Sequence, residues 1–578
     1  MTKHRTFYAS ALVVAALAAS TFVASSAPAS PAAPATPRQP SGATQEYVVA
    51  FADGADAATA AVEAAGGTVV DVNEDIGVAL VETRAADFAG DVNASGGVVG
   101  VARNHSVGTS RPGMPHRYVE ERPSAAERSS RHSRGQTRHE RGGRGGSDEP
   151  LADLQWNMDQ IGADAAHQKA TGKGVDVGII DTGIDASHPD IAPNFDSRRS
   201  RNFTMDIPAA DGPCEVPTCI DPANVDDGGH GTHVAGIVGA DDNRFGVGGV
   251  APDVNLVNLR AGQDSGFFFL YETVAALTEA GNLGLDVVNM SFYTDPWLWN
   301  CASRDDYISG DVTDAEIAEQ ALTRQLVFAA TEYAHDKGVT LIAAAGNSHF
   351  DLSAAERPDA TSPDFPIDEN GDPTNARERV VTNNCLDLPS EAPHVISVSA
   401  TGPSTTKADF SNYGSPETEV AAPGGWFRDF VGTPNFSVSA NEVLSSYPLH
   451  VAIAEGLADE NGVPTDDLSV QYCNRRGTCG FYTYLQGTSM ASPHAVGVAA
   501  LIVDEFGRSG RNGKSLNPDT VRNILLRTAT DHACPAGGVE IYTDEGRPAE
   551  FNAPCSGTTA NNGLYGEGIV NAARAVRR

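Results

Sequence analysis

The chain has 578 residues, with 75 Asp and Glu against 40 Lys and Arg, for a formal net charge of −35. Such an excess of negative charge opposes binding to the phosphates of nucleic acid. Beyond the first two dozen residues, no stretch is long and apolar enough to span a membrane.

Lys3 and Arg5 precede an apolar segment over residues 7–24, after which small residues lead into a Pro/Ala-rich stretch. This is the pattern of a secretory signal (residues 1–29) followed by a spacer (30–44), so we expect a secreted, extracellular protein with no membrane anchor. The eight cysteines fit export, and all lie after Leu151. Their spacing suggests two short loops, Cys214 with Cys219 and Cys473 with Cys479, while Cys301 with Cys385 and Cys534 with Cys555 would complete an even set of disulfides. Eight cysteines allow about a hundred pairings, so spacing leaves the connectivity open.

Over residues 45–110, strands are predicted at 47–51, 68–72, 78–82 and 98–103, with helices at 57–65 and 84–92. The order strand-helix-strand-strand-helix-strand is the split βαβ motif of a small ferredoxin-like α+β domain. From 111 to 150 arginine recurs with His, Ser and Gly and almost nothing apolar, which predicts a disordered linker. Its local basic character is set against a strongly acidic chain, and no nucleic-acid partner is expected.

From residue 151 the pattern is α/β. Residues 175–180 read as a buried strand that ends in Asp181-Thr182-Gly183, placing an acid at a strand's C-terminal edge, where open α/β sheets put their sites. His230-Gly231-Thr232-His233 opens a helix of small residues. Strands at 254–259, 287–290, 340–344 and 395–399 alternate with helices, one of them over 316–337, so a parallel sheet with helices on both faces is predicted. Segments 297–323, 349–393 and 427–484 are rich in Asp, Pro, Asn and Gly and read as surface insertions. Last, Gly487-Thr488-Ser489-Met490-Ala491-Ser492-Pro493-His494 runs into an apolar stretch, a buried helix that would hold Ser489 at its N-terminal end.

Asp181, His230 and Ser489 are the candidate catalytic residues. A serine hydroxyl is a weak nucleophile at neutral pH, so an imidazole must take its proton during attack and return it to the leaving amine. That imidazole needs a fixed tautomer and an anion behind it once charged. His233 lies three residues past His230 and is expected to be structural. The two histidines lack the intervening Glu of a metalloprotease helix, so zinc is not expected.

Four blocks together resemble the subtilisin-like serine proteases, the subtilase family, across roughly residues 151–578: Asp181-Thr182-Gly183-Ile184-Asp185 with His188-Pro189-Asp190, His230-Gly231-Thr232-His233, Ala343-Ala344-Ala345-Gly346-Asn347, and the block around Ser489. The resemblance implies a subtilisin-like three-layer α/β fold and a serine-type endopeptidase that cuts protein or peptide substrates through an acyl-enzyme. No organic cofactor and a monomer are expected. It implies that residues 45–110 are an inhibitory propeptide, which makes the chain a zymogen carrying its own inhibitor. The Asn347 amide and the Ser489 backbone N–H would be the oxyanion donors.

For the substrate cleft, the resemblance points to Ser265, Gly266 and Phe267 on one rim, Ser291, Phe292 and Tyr293 on the other, and Ala345 and Gly346 beside Asn347. Phe292-Tyr293-Thr294 stands where the family commonly carries Leu-Gly-Gly, so bulk is expected where a peptide should approach. A preference for hydrophobic side chains is expected. A structural calcium ion is implied at Asp190, Asn243 and the carbonyls of Phe245 and Val247, with Gln155 or Asp153 as an N-terminal ligand. Two other readings stay open: a dedicated processing protease for one precursor, which the bulky Phe292-Tyr293 would suit, and a secreted non-catalytic scaffold on this fold.

Overall fold

The structure is a computed structural model that describes residues 44–52, 54–104, 147–208, 210–359, 378–510 and 513–577. The expected signal, nearly all of the spacer and most of the linker lie outside these residues.

The N-terminal domain follows the predicted order: β1 (Gln45–Phe51), α1 (Ala55–Ala64), β2 (Gly67–Asn73), β3 (Val78–Thr83), α2 (Phe88–Asn93) and β4 (Val98–Arg103). Its sheet is antiparallel in the order β2-β3-β1-β4. Side chains alternate along a strand, and here both faces are apolar. Tyr47, Val49 and Phe51 pack with Val62, Phe88 and Val92 in a core of the domain's own. Val48, Ala50, Val78 and Ala102 point the other way, into a second core shared with the rest of the chain.

The larger body holds seven strands, all parallel, in the order β11-β10-β9-β8-β5-β7-β6: β5 (Asp176–Ile180), β6 (Arg201–Asn202), β7 (Asn255–Arg260), β8 (Val287–Met290), β9 (Thr340–Ala344), β10 (Val395–Thr401) and β11 (Val420–Pro423). Strand β5 is buried at every residue, as a central parallel strand covered on both faces must be. The principal helices are α3 (His230–Gly239), α4 (Leu270–Leu283), α5 (Asp314–Asp336) and α6 (Thr488–Phe506). A capping box starts α5: Thr313 Oγ1 accepts from the Glu316 N–H and Glu316 Oε2 accepts from the Thr313 N–H. The chain winds from β5 to β6 and β7 on one side and then to β8 on the other. The sheet therefore reverses direction around β5, at whose C-terminal end ligand sites of such sheets form.

Helices α4 and α5 receive the outward face of the N-terminal sheet, whose apolar residues join Tyr271, Val274, Leu322 and Leu326. The four disulfides join Cys214–Cys219, Cys301–Cys385, Cys473–Cys479 and Cys534–Cys555, which are the two short loops that the spacing suggested and the two pairs that would complete the set. Among the described residues no helix is long and apolar enough to cross a membrane.

Two expectations need correction. Segment 427–484 is only partly a surface insertion: β12 (Val443–Tyr447) is wholly buried and pairs in a small sheet, β12-β14-β13, with β14 (Cys479–Leu485) and β13 (Ser469–Cys473). The polar composition belongs to the turns between these strands and masked them. The linker also ends early, because Glu149 is 4% exposed and packs into the body.

Candidate active site

Asp181 follows directly on β5 and Ser291 directly on β8, and the two strands pair with Ile180 opposite Met290. Asp181 and Ser291 are thus brought side by side at one sheet edge. Asp181 Oδ1 lies 2.7 Å from His230 Nδ1, both residues being buried. Burial pushes the Asp181 carboxyl up, and the charge and hydrogen bond of His230 oppose that shift. The same carboxylate oxygen accepts from the Thr182 N–H at 2.8 Å.

His230 is held by the first turn of α3, which Asp226 anchors. Asp226 Oδ1 accepts from the Gly229 N–H (2.8 Å) and from Thr182 Oγ1 (2.9 Å), while Oδ2 accepts from the Thr232 N–H (2.8 Å) and hydroxyl (2.5 Å). One fully buried carboxylate therefore ties the residue after Asp181 to the helix that carries His230. A Cβ on Gly231 would come within 2.1 Å of the Gly183 carbonyl, so the glycines of Asp-Thr-Gly and His-Gly-Thr-His are needed for this close approach.

Ser489 is the second residue of α6, which packs against α3. Its hydroxyl is 3.4 Å from the Ser291 carbonyl. Pro493, inside the helix, has no N–H to give the Ser489 carbonyl. Ser291 Oγ donates to that carbonyl instead, at 3.0 Å. Asn289 completes the anchor: its Nδ2 donates to Ser291 Oγ (2.9 Å) and its Oδ1 accepts from Ser492 Oγ (2.6 Å). The Asn-Met-Ser strand end and the Ser-x-x-Ser-Pro turn are thus two halves of one polar lock.

Asn347 stands beyond β9 with its amide orientation settled by chemistry. Its Oδ1 accepts from the Thr488 N–H (2.9 Å) and the Thr488 hydroxyl (2.8 Å), and an N–H can only donate. Nδ2 is therefore the end left to donate elsewhere. The Thr488 hydroxyl in turn accepts from the Gly346 N–H at 3.1 Å. Asn412 holds the other side of this turn, donating to the Ala345 carbonyl and accepting from the Ser348 and Phe350 N–H groups.

Sequence reasoning passed over Asp226, Asn412 and Asn289. The only local signal was an Asp shortly before a helix start, which reads as an ordinary cap.

The substrate-rim residues turn inward more than expected. Phe292 stacks face to face on Phe268, centroids 4.1 Å apart, and both are buried. Tyr293 packs beside Leu298, Trp299 and the Cys301–Cys385 pair. On the opposite rim Ser265 donates to Asp211 from both its N–H (3.0 Å) and its hydroxyl (2.6 Å), Gly266 has φ +83°, and Phe267 stacks on Phe269. The expected bulk in the cleft is thus absorbed into the core by aromatic stacking, at least for Phe292. His233 bonds the carbonyls of Val443 and Thr483, away from Asp181, as a structural histidine would.

At the expected cation loop, Asp190 is fully buried. Its Oδ2 accepts from the Tyr482 hydroxyl (2.7 Å) and the Val247 N–H (3.1 Å), and Asn243 Nδ2 lies 3.4 Å from Oδ1. Burial and the charge of Asp190 hold the Tyr482 phenol in its protonated, donating form. Asn243 Oδ1 is buried without a hydrogen-bond partner, and the donor set is all oxygen, which fits a hard cation. Val247 meets Asp190 through its N–H. Of the two N-terminal ligands expected, Gln155 spends both ends of its amide on the Gly248 backbone and Asp153 is exposed.

Residues 172–564 match the model of a family described as the subtilase family. The chain is 30% identical over 364 residues to subtilisin DY of Bacillus licheniformis, covering 62% of this chain and 85% of that protein. It is 25% identical over 379 residues to thermitase of Thermoactinomyces vulgaris, covering 65% and 92%. Among solved structures, it is similar to the epidermin leader peptide processing serine protease of Staphylococcus aureus, with a TM-score of 0.56 and 19% identity over 92% of this chain and 98% of that one. Fervidolysin from Fervidobacterium pennivorans, a keratinolytic enzyme related to subtilisin, gives a TM-score of 0.53 at 21% identity over 92% and 61%. At such identities the structural likeness speaks for the fold alone.

Proposed function

The chain belongs to the subtilase family of serine endopeptidases, and on that premise we propose that Ser489 is the nucleophile, His230 the general base and acid, and Asp181 the group that orients the imidazole. Ser489 Oγ attacks a peptide carbonyl as its proton passes to His230 Nε2. Asp181 holds Nδ1 and balances the imidazolium. The Asn347 amide and the Ser489 N–H then receive the charge on the former carbonyl oxygen. His230 returns the proton to the leaving amine, and water releases the acyl-enzyme.

The observation that carries this reading is the 2.7 Å Asp181–His230 contact beside a helix that presents Ser489, with the Asn347 carbonyl oxygen tied to the residue before it. The signal-like N-terminus and four disulfides support export. The N-terminal domain, seated on α4 and α5, is proposed as the intramolecular inhibitor. Members of the family commonly hold structural calcium, and here Asp190 and Asn243, with the carbonyls of Phe245 and Val247, would hold it and stabilise the loop.

A serine-reactive fluorophosphonate tests the centre. It should label the mature protein once, on the peptide containing Ser489, and His230→Ala should abolish that labelling. Labelling elsewhere, or an unchanged rate in His230→Ala, overturns the assignment.

A further inference from the structure

Two chain segments wall a slot beside Ser489, and the sheet sets where they run. Strands β8 and β9 pair with Met290 opposite Ala343, so the segments that leave them, 291–294 and 345–347, continue side by side. The Ser489 hydroxyl lies 3.4 Å from the Ser291 carbonyl on the first, and the Thr488 N–H donates to Asn347 on the second. On the peptidase reading, the substrate side chain just before the scissile bond enters between them. The aromatics of the first wall turn away into packing, Phe292 onto Phe268 and Tyr293 beside Leu298 and Trp299. Gly346, on the second wall at φ +98°, has no side chain to fill the space.

A third segment closes the far end. Leu386 and Asn300 exchange two backbone hydrogen bonds, at 2.8 and 3.0 Å, and the Leu388 carbonyl accepts from the Thr294 N–H at 2.6 Å. Asp387 lies between these two anchors and is 2% exposed. Its Oδ2 comes within 3.5 Å of the place that a Cβ on Gly346 would occupy, so the carboxylate reaches from the extension of the first wall to the second. The backbone that carries it is fixed, because the Asp387 N–H donates to Glu391 Oε2 at 2.8 Å. Arg357 holds Glu391 with both arms of its guanidinium, at 2.7 and 2.8 Å, and also donates to the Leu352 and Cys385 carbonyls. The fork of Arg357 is thus committed to Glu391 and to backbone. A carboxylate at the closed end of a slot favours a long cationic side chain and disfavours an acidic one, and shielding from water strengthens both effects.

We propose that Asp387 is the specificity-determining residue of this slot and selects arginine, then lysine, immediately before the scissile bond. The inference rests on the peptidase reading given above and replaces the hydrophobic preference expected from the aromatic rim. Arginine ranks first because its planar fork can donate two parallel hydrogen bonds to a carboxylate, whereas lysine offers a point charge. The chain carries such a substrate itself: Arg131, Arg134, Arg138, Arg141 and Arg144 recur in the segment that joins the N-terminal domain to the catalytic body. A cut after one of them would release that domain.

The test uses the mature wild-type enzyme and peptides that differ only in the residue before the scissile bond, Arg, Lys, Phe or Leu, with active sites counted by fluorophosphonate. The value of kcat/KM should be highest for Arg, on the order of a hundredfold above Phe. Asp387→Asn should remove most of that ratio, and Asp387→Glu, which keeps the charge, should still favour the cationic residues over Phe. A wild-type enzyme that favours Phe or Leu overturns the inference. So does an Asp387→Asn variant that keeps the wild-type ratio at any overall rate, as a merely structural carboxylate would. If the wild type takes no label at Ser489 and cuts none of the peptides, the peptidase reading itself fails and takes the inference with it. Should Asp387→Asn not fold, Asp387→Ser takes its place, and if neither folds the wild-type ranking decides alone. In the purified wild-type chain the first cut between the two domains should follow an arginine, and a first cut after a neutral residue overturns the proposal as well.

Discussion

Two seams in this molecule are built on opposite principles. Where the N-terminal sheet meets α4 and α5, the buried contacts are mostly apolar, and apart from Asn104 the polar ones, such as Asn73 with Thr278, Asp75 with Tyr333 and Arg103 with Glu319, lie toward the rim. Where α3 and α6 meet the sheet edge, the contacts are polar and buried: Asp226, Asn289, Ser291, Thr488 and Asn412 each place several hydrogen bonds within a few residues of Asp181, His230 and Ser489. An apolar face backed by a core of its own can part from its partner and leave both sides folded. A buried polar lock cannot open without stranding donors and acceptors. The first seam suits a piece that leaves, the second a constellation that must not move.

If the inner seam is rigid, removing a reacting atom should cost rate and leave the fold alone. Ser489→Ala should lower kcat on the order of 10⁶, the size of the nucleophile effect in subtilisin, with melting unchanged within about 0.5 kcal/mol. It should also accumulate with its N-terminal domain attached, because the outer seam would no longer be released by self-cleavage. Normal trimming of the purified mutant would break the comparison at its start. Asn347→Ala should cost roughly 10² to 10³ in kcat with little change in KM, since the amide acts on charge that appears only in the transition state. Equal losses in kcat and 1/KM would show instead that the Asn347 turn shapes the ground-state cleft.

The inner seam also carries a pH signature. His494, four residues beyond Met490 on α6, is wholly buried, with Nδ1 2.7 Å from the Met490 carbonyl and Nε2 2.8 Å from Asn157 Nδ2. Asn157 donates to Nε2, so a second proton has no place there. Burial holds the imidazole down at about 4. The unfolded chain takes up that proton near pH 6.5, whereas the folded one resists until about 4. Stability should therefore fall as pH drops from about 6.5 to 4, by on the order of 3 kcal/mol from this group, and level off below. Denaturant unfolding across that window should show His494→Gln with a slope smaller by about one proton. An unchanged slope would assign the acid sensitivity to other histidines such as the buried His188 and the half-buried His349, also held near 4.

The sequence made strands and helices readable wherever one physical rule acted alone. Continuous apolar runs marked β5 and β8–β10 because central parallel strands are buried on both faces, and short apolar runs marked β1–β4, whose sheet is also apolar on both faces. The candidate centre was readable because its side chains sit in short Gly-rich blocks that few backbones tolerate. Less readable was whatever depends on a partner distant in sequence. The inward turn of Phe292 requires Phe268, the burial of β12 requires α3, and the burial of Glu149 requires a loop almost a hundred residues later. Asp226 was hidden for another reason, since an acid before a helix has many uses and only the fold shows that it ties one helix start to the residue after Asp181.

The smallest effect concerns a deeply buried polar contact of the outer seam. Asn104, at the end of the N-terminal domain, is 1% exposed. Its Oδ1 accepts from the Tyr271 N–H at 3.0 Å, in the first turn of α4, and its Nδ2 donates to the Glu272 carboxylate at 3.1 and 3.2 Å. The preceding residue, Phe269, gives α4 no side-chain cap, so the cap comes from the neighbouring domain. Asn104→Ala would strand a helix N–H and part of a buried carboxylate, which costs about 1 to 3 kcal/mol, a rise of roughly five- to hundredfold in dissociation constant. With Ser489→Ala chains cut by trypsin in the Arg-rich linker, gel filtration against dilution should show the N-terminal piece lost at correspondingly higher concentration. Asp75→Ala, at the exposed rim, should shift that curve by less than about 0.5 kcal/mol. Should the rim variant weaken retention as much as Asn104→Ala, the outer seam would be held by its edge and the contrast between the seams would have to be redrawn.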